Sequence, residues 1–333
     1  MAASPRIAVL QLSPAHGAPL ENAARVQQMT SHLKRGEVDL LILPEMALSG
    51  YIFPTPASIE PSLERLSTRS SSSRTSSSSP TQALCSSLAR RLECYVLCGL
   101  PALLAHAFSS SSASSAAFDA RPSEPSPSGS GRSNAGEEGA YNAALLLDRT
   151  GEAVHVFRKH FLYEADEAWA CEGPGFEFVD LPKPLGRLAV GICMDLNPYR
   201  FQAAFDSFEL ASFCVRNHVD TLALPMAWLK PEVEDEEQAS AKSEAAEGQS
   251  EGELEQDARQ AQHQAQQMIH YWLLRLTPLL EAPHRCVVAC ANRVGQEGGT
   301  VFGGSSCVLQ VGGGDVRVKG WMCEEEALLV VDP

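Results

Sequence analysis

The sequence predicts an α/β fold whose sheets are mixed rather than purely parallel. Three observations carry the prediction. Short apolar runs such as Leu40-Leu41-Ile42-Leu43 and Leu188-Ala189-Val190-Gly191-Ile192 read as strands covered on both faces. Between such runs lie segments with apolar residues at helical spacing, as at Ala23, Val26, Met29 and Leu33. Tyr141–Asp148 and Val154–Lys159 flank Asp148-Arg149-Thr150-Gly151, a turn sequence that marks a hairpin and so an antiparallel pair.

Taken in order, Arg6–Leu12 is the first strand and Asn22–Leu33 the first helix. Asp39–Leu43 is a short buried strand that ends in Pro44-Glu45. Residues 81–93 are helical and Tyr95–Leu100 is a strand, followed by the hairpin. Leu188–Cys193 and Thr221–Leu224 are further buried strands. His263–Leu280 is a helix, stopped by Pro283 soon after. Cys286–Ala291, Thr300–Gln310 and Ala327–Val331 complete the set of strands. Three stretches at about 67–80, 109–139 and 231–262 are rich in Ser, in Ser/Pro/Gly and in Glu/Gln/Ala respectively. The first two hold too little apolar surface to order themselves and read as surface loops, the acidic third reads as a solvated arm, and all three are inserts in a single domain over residues 1–333. The second half of the last one extends the helix that follows it.

Composition narrows the function. The 333 residues are 44% hydrophobic and 20% charged, which is globular and sufficient for a sizeable core. The net charge is −15, but residues 231–262 alone hold 11 acids and 2 bases, so most of the excess sits in one insert. No basic patch speaks for nucleic acid. The opening MAASPRIAVLQLSP has no basic region leading into an apolar one, so it is not a signal peptide. Cys94–Phe108 is too short to span a bilayer and contains Gly99 and Pro101. The ten cysteines include no CxxC pair, so neither zinc nor a disulfide framework is expected. They read as reduced thiols of a protein of the cytoplasm, with the nucleus also open.

Three segments end an apolar strand in a reactive side chain, where active residues of open α/β sheets collect. Glu45 follows the strand that ends Leu43-Pro44 and is a candidate base, since a carboxylate there must be solvated or paired. Lys159 ends Val156-Phe157-Arg158 and is a candidate fixed cation. Cys193 stands where an apolar strand turns into Asp195-Leu196-Asn197-Pro198-Tyr199-Arg200. Each alone has an ordinary reading, as a surface acid, a solvated lysine or a packed cysteine.

Together, Glu45, Lys159 and Cys193 in PEMALSGY, FRKHFLY and GICMDLNPYRF resemble the nitrilase, or carbon–nitrogen hydrolase, superfamily. RIAVLQLSP resembles its first strand, Leu224–Trp228 the segment after the nucleophile, and VVACANRVGQEGGTVFGGSS its late segment. The resemblance implies a four-layer α-β-β-α sandwich and thiol-based hydrolysis of a non-peptide C–N bond through a thioester, with no metal or organic cofactor. It makes Glu45 the base, Cys193 the nucleophile and Lys159 the partner of the oxyanion, with the Met194 backbone N–H as a second donor. A free thiol with a pKa of about 8.5 is mostly unionised at neutral pH, so such helpers are needed. Many relatives carry a second glutamate near the lysine. Glu172, before Gly-Pro-Gly, is the first choice, with Glu164, Asp166 and Glu167 as competitors.

The run from Cys193 to Phe201 and the aromatic-acidic stretch Phe161–Trp169 are similar to the eukaryotic N-terminal asparagine/glutamine amidohydrolase branch. That implies deamidation of Asn or Gln at polypeptide N-termini, which feeds the N-degron pathway. Such a substrate needs a pocket for the amide and a partner for the α-ammonium. Asp195, Glu164 and Asp166 are candidates for the latter, and Asp195 serves equally well as an orienting residue within its own turn. Trp228 is a candidate pocket wall or a core residue. A small-molecule amidase, either an ω-amidase or a carbamoyl-amino-acid hydrolase, is the nearest alternative. A catalytically silent binding protein and a papain-like Cys–His protease are more distant ones; no histidine lies in a convincing partner motif, and His160 next to Lys159 reads as structural. Monomer and homodimer both stay open.

Overall fold

The computed structural model describes residues 4–66, 79–105, 138–231 and 251–332. In chain order the elements are β1 (Ile7–Gln11), α1 (Pro19–Met29), β2 (Leu40–Ile42), α2 (Pro56–Ile59), β3 (Glu64–Arg65), α3 (Pro80–Leu92), β4 (Tyr95–Ala105), β5 (Glu138–Leu147) and β6 (Ala153–Arg158). They continue as α4 (Glu164–Glu167), β7 (Glu177–Asp180), β8 (Arg187–Val190), α5 (Glu209–Arg216), β9 (Thr221–Pro225), α6 (Glu251–Arg275) and α7 (Thr277–Glu281). The chain closes with β10 (Cys286–Ala291), β11 (Val294–Glu297), β12 (Thr300–Gly303), β13 (Cys307–Gly312), β14 (Asp315–Trp321) and β15 (Ala327–Val331).

Two large mixed sheets result. The first runs β15-β1-β2-β4-β5-β6, with β3 paired to β4; the second runs β14-β13-β10-β9-β8-β7. The centre of each is parallel, through β1–β2–β4 and β8–β9–β10. The flanks are antiparallel. Period-two alternation then splits the side chains between two cores. Ile7, Val9, Leu40, Ile42, Leu97 and Leu146 face the second sheet, in one cluster with Leu188, Leu222 and Val288. Their neighbours Ala8, Leu10, Leu41, Val96 and Leu145 face the other way, onto Val26 of α1 and Leu84 and Leu88 of α3. The far side of the second sheet is covered by Phe213 of α5, Trp272 of α6 and Leu279 of α7. The layers are therefore helix, sheet, sheet, helix, the four-layer architecture expected from the sequence.

The hairpin pairs β5 with β6, with a bulge at Leu146/Leu147. Three boundaries differ from expectation. Ser79 and Pro80, assigned above to an insert, start α3: the Ser79 hydroxyl caps the Gln82 N–H and Pro80 takes the first turn, where its missing N–H costs nothing. The expected helix over 263–280 is two helices, because Pro278 cannot continue the ladder and the break falls at Leu276. The expected strand 300–310 is also two, parted where Gly304 and Ser305 turn at φ +58° and +64°. Residues 67–78, 109–137 and 232–250 of the three inserts lie outside the described residues, whereas α6 does begin at Glu251, within the acidic stretch.

Candidate active site

The three candidate residues come from two sheets. Past the end of β2, Pro44-Glu45 stays beside β4: the Leu43 N–H donates to Leu97 O, the Gly99 N–H to Pro44 O and the Ala47 N–H to Gly99 O. Past the end of β6, the Lys159 N–H donates to Asn142 O of β5. Both belong to the first sheet. Cys193 belongs to the second, opening a tight 3-10 turn, Cys193–Leu196, just after β8.

Glu45 and Lys159 have no exposed surface. The Lys159 ammonium donates to Glu45 Oε1 at 2.7 Å and to Asp166 Oδ2 at 2.5 Å. The Asn142 amide bridges the same two acids, donating to Glu45 Oε1 at 2.7 Å and to Asp166 Oδ1 at 2.8 Å. The Tyr163 N–H and the Tyr51 hydroxyl complete the set around Asp166 Oδ2. A buried ion cluster survives only when its lone pairs and protons are this well matched. Two atoms of the cluster stand apart: Glu45 Oε2 and Asn142 Oδ1 are buried and have no hydrogen-bond partner.

The charges explain the proton affinities. Burial opposes the Lys159 charge, but Asp166 and Glu45 outweigh it and hold the ammonium protonated well above an ordinary lysine. Burial raises the Glu45 carboxyl above its usual range, Lys159 pulls it down and Asp166 pushes it up again. The Cys193 thiol is pushed well above normal by burial first and the Glu45 charge second, with Lys159 opposing both. At rest the thiol is protonated and Lys159 is charged, its ammonium bound to the Glu45 carboxyl. A thiolate as a third anion beside two carboxylates is disfavoured unless the thiol proton moves onto one of them, and the unpaired Glu45 oxygen is suited to take it.

Backbone geometry fits a nucleophile held on a rigid turn. Cys193 adopts φ +45° and Met46, next to Glu45, φ +52°, conformations that side chains other than glycine adopt rarely. The Asp195 carboxylate holds the turn in place. It accepts from the Ile192 N–H at 2.8 Å and, across the sheets, from Phe161 at 2.7 Å and His160 at 3.1 Å. Of its two readings, the orienting one matches this geometry. The His160 ring pairs with Gly173 O and packs on Phe161 and Phe176.

Cys193 and Met194 open onto a cavity of about 380 Å³ walled by Tyr163, Asn197, Ala227, Trp228, Met268 and Tyr271, with Phe201 at its side. Trp228 therefore lines the cavity, tilted 5.7 Å from the Tyr271 ring. Of the acids weighed for the place beside Lys159, geometry puts Asp166 there. Glu172 lies with the Tyr199 hydroxyl at 2.8 Å and Arg200 at 3.5 Å, and Glu164 is exposed on α4. Asn142 escaped the sequence reading, although a carboxamide inside the apolar run Tyr141–Leu147 is itself a signal, because a buried amide demands partners. Among the described residues no cluster of three His, Cys, Asp or Glu side chains could hold a metal, and no helix is long and apolar enough to cross a membrane.

This fold and this set of side chains define a hydrolase of carbon–nitrogen bonds. The carbon-nitrogen hydrolase family model matches residues 6–197, more than half of the chain, and the protein belongs to that family. Among individual relatives, the protein N-terminal amidase of Schizosaccharomyces pombe is 29% identical over 97% of this chain and 96% of its own. The protein N-terminal amidase of Saccharomyces cerevisiae is 27% identical over 67% of this chain and 45% of its own. Crystal structures show the same fold. An N-terminal amidase superposes with a TM-score of 0.69 at 20% identity, covering 99% of this chain and 98% of that one. An amidase of the nitrilase superfamily from Nesterenkonia gives 0.58 at 18% identity, covering 100% and 92%.

Proposed function

We propose that this protein removes ammonia from the side-chain amide of Asn or Gln at the N-terminus of polypeptides. The observation that carries the reading is the placement of a buried carboxylate–ammonium pair beside a thiol that opens onto a cavity of about 380 Å³. The amidases of the two yeasts support the choice of substrate, as do crystal structures of an N-terminal amidase with Gln-Gly and Asn-Glu peptides.

Glu45 takes the Cys193 proton as the sulfur attacks the amide carbon. The oxyanion that forms is met by the Lys159 ammonium and the Met194 N–H, donors that need no reorganisation. Glu45 returns the proton to the leaving nitrogen, ammonia departs, and a thioester remains on Cys193. Glu45 then activates water, which releases Asp or Glu and restores the thiol. Asp166 and Asn142 keep Lys159 and Glu45 in position throughout. No carboxylate lines the cavity among the described residues; Asn197 and Gln267 and the faces of Trp228 and Tyr271 are the lining groups available to the α-ammonium. On this reading the products are destabilising N-terminal residues of the N-degron pathway, and the enzyme is one of the cytoplasm or nucleus.

The test is mass spectrometry of Asn- and Gln-started peptides, their N-acetylated twins and free ω-amides after incubation with the enzyme. Conversion of amide to acid at residue one, only where the amine is free and a peptide follows, is the expected result. Equal turnover of the acetylated twins, or turnover of the free ω-amides alone, would reject N-terminal recognition.

A further inference from the structure

The loop after the nucleophile turn carries apolar surface beside the cavity that residue one does not need. Phe201 is 58% and Phe205 48% exposed, although each is large enough to be costly in water. Phe201 also lines the cavity, so the patch is continuous with the place where residue one is bound. The loop is firmly built. The Phe201 N–H donates to Pro198 O and the Ala203 N–H to Tyr199 O. The buried Arg275 guanidinium donates to Phe205 O and lies 4.8 Å from the Phe205 ring, which is 6.2 Å from Tyr271. Arg200 and Phe201 both adopt left-handed backbone, at φ +54° and +55°, which presents the Phe201 ring at the rim rather than folding it into the core. Arg200 on this rim is already answered: it faces Glu172 at 3.5 Å and lies over the Tyr199 ring at 5.2 Å.

We propose that Phe201 and Phe205 form a second subsite, which takes the apolar side chain of the residue that follows the N-terminal Asn or Gln. The inference rests on the function proposed above. A polypeptide held by residue one must leave across the cavity mouth, advancing about 3.3 Å per residue if extended. Its second side chain then meets Phe201 and its next backbone passes Phe205. A loop fixed by backbone hydrogen bonds loses little freedom on contact, so the burial translates into binding.

The experiment measures kcat/KM on peptides Asn-X-Ala-Ala-Lys with X as Gly, Leu, Phe, Asp or Lys, for the wild type, Phe201→Ser and Phe205→Ser. The wild type is expected to prefer Leu or Phe over Gly by about tenfold, the scale of half-burying one large apolar side chain. In Phe201→Ser that preference shrinks to about twofold or less, with a smaller decrease in Phe205→Ser. The ratio is taken within each variant, so a partial loss of folded enzyme leaves it unchanged. A wild type indifferent to X, or a preference that survives both substitutions, overturns the subsite. Turnover of none of the peptides would overturn the proposed function and the subsite with it, whereas a flat series with good turnover removes the subsite alone.

Discussion

Replacing Gly99 by alanine probes how tightly the base is positioned. Gly99 lies in β4 directly behind the segment that carries Glu45. A Cβ at this position would sit 2.5 Å from Glu45 Cα, 2.6 Å from Pro44 O and 2.7 Å from Met46 N. Carbon atoms pack best at about 3.5–4.0 Å, so the Glu45 backbone must retreat by roughly 1 Å. The side chain cannot follow freely, because Glu45 Oε1 is held by Lys159 and Asn142 at 2.7 Å each. A misplacement of ~1 Å at a catalytic group costs about 10²-fold in rate. The same overpacking should destabilise the fold by ~1–3 kcal/mol, which leaves a cooperative unfolding transition. The assay is steady-state ammonia release from an Asn-started peptide, with thermal unfolding followed in parallel. The expected result is a kcat lower by about two orders of magnitude with KM changed by less than about threefold. A folded Gly99→Ala enzyme whose kcat stays within about twofold of wild type would refute the idea that this contact sets the base.

Asp166→Asn removes one of the two charges that stabilise the Lys159 ammonium and should lower kcat about 10²-fold or more, whereas Glu172→Gln should change it by no more than about threefold; the reverse order in the same kinetic assay would return the second acid to Glu172. Asp195→Ala leaves the Ile192, His160 and Phe161 N–H groups without their acceptor, at ~1–3 kcal/mol each, so at least ~3 kcal/mol should be lost in a urea titration. An equally stable Asp195→Ala protein would mean that the carboxylate does not tie the turn. For pH, the base must be ionised and the Glu45 carboxyl is raised by burial, so kcat/KM should fall on acidification through a midpoint above the ordinary ~4.3 of glutamate. Lys159 is raised as well and stays charged, so it adds no alkaline loss near neutrality. A pH profile with its acid limb at or below that ordinary value would contradict the burial of the base.

Much of this centre was legible because strand ends in α/β sheets are abrupt in sequence. Glu45, Lys159 and Cys193 each follow an apolar run, and the hairpin and most strand positions follow from the same alternation. What stayed hidden depends on folding back. Asp166 lies seven residues beyond Lys159, and only the turn into the four-residue α4 returns its carboxylate to that ammonium. Glu172, beside a conspicuous Gly-Pro-Gly, is carried on to the rim. The Gly304 turn and the strand β14 were missed for different reasons. The first depends on left-handed backbone within an apolar run, and the second is an edge strand with Arg317 and Val318 exposed, so it lacks a clean alternation. Gly99 gave no sign of itself, since a glycine required by a neighbouring strand looks like any other.

The acid and the ammonium ride on one sheet and the sulfur on the other, with the Asp195 carboxylate stitching the two layers. Chemistry here is therefore a gauge of how the slabs of the sandwich lie against each other. A slip of one slab along its neighbour, too small to change helix content or expose either interior, would part the sulfur from its proton acceptor. Gentle heating or pressure should thus silence the enzyme before spectroscopy detects any melting, and relaxing the stress should restore it without refolding.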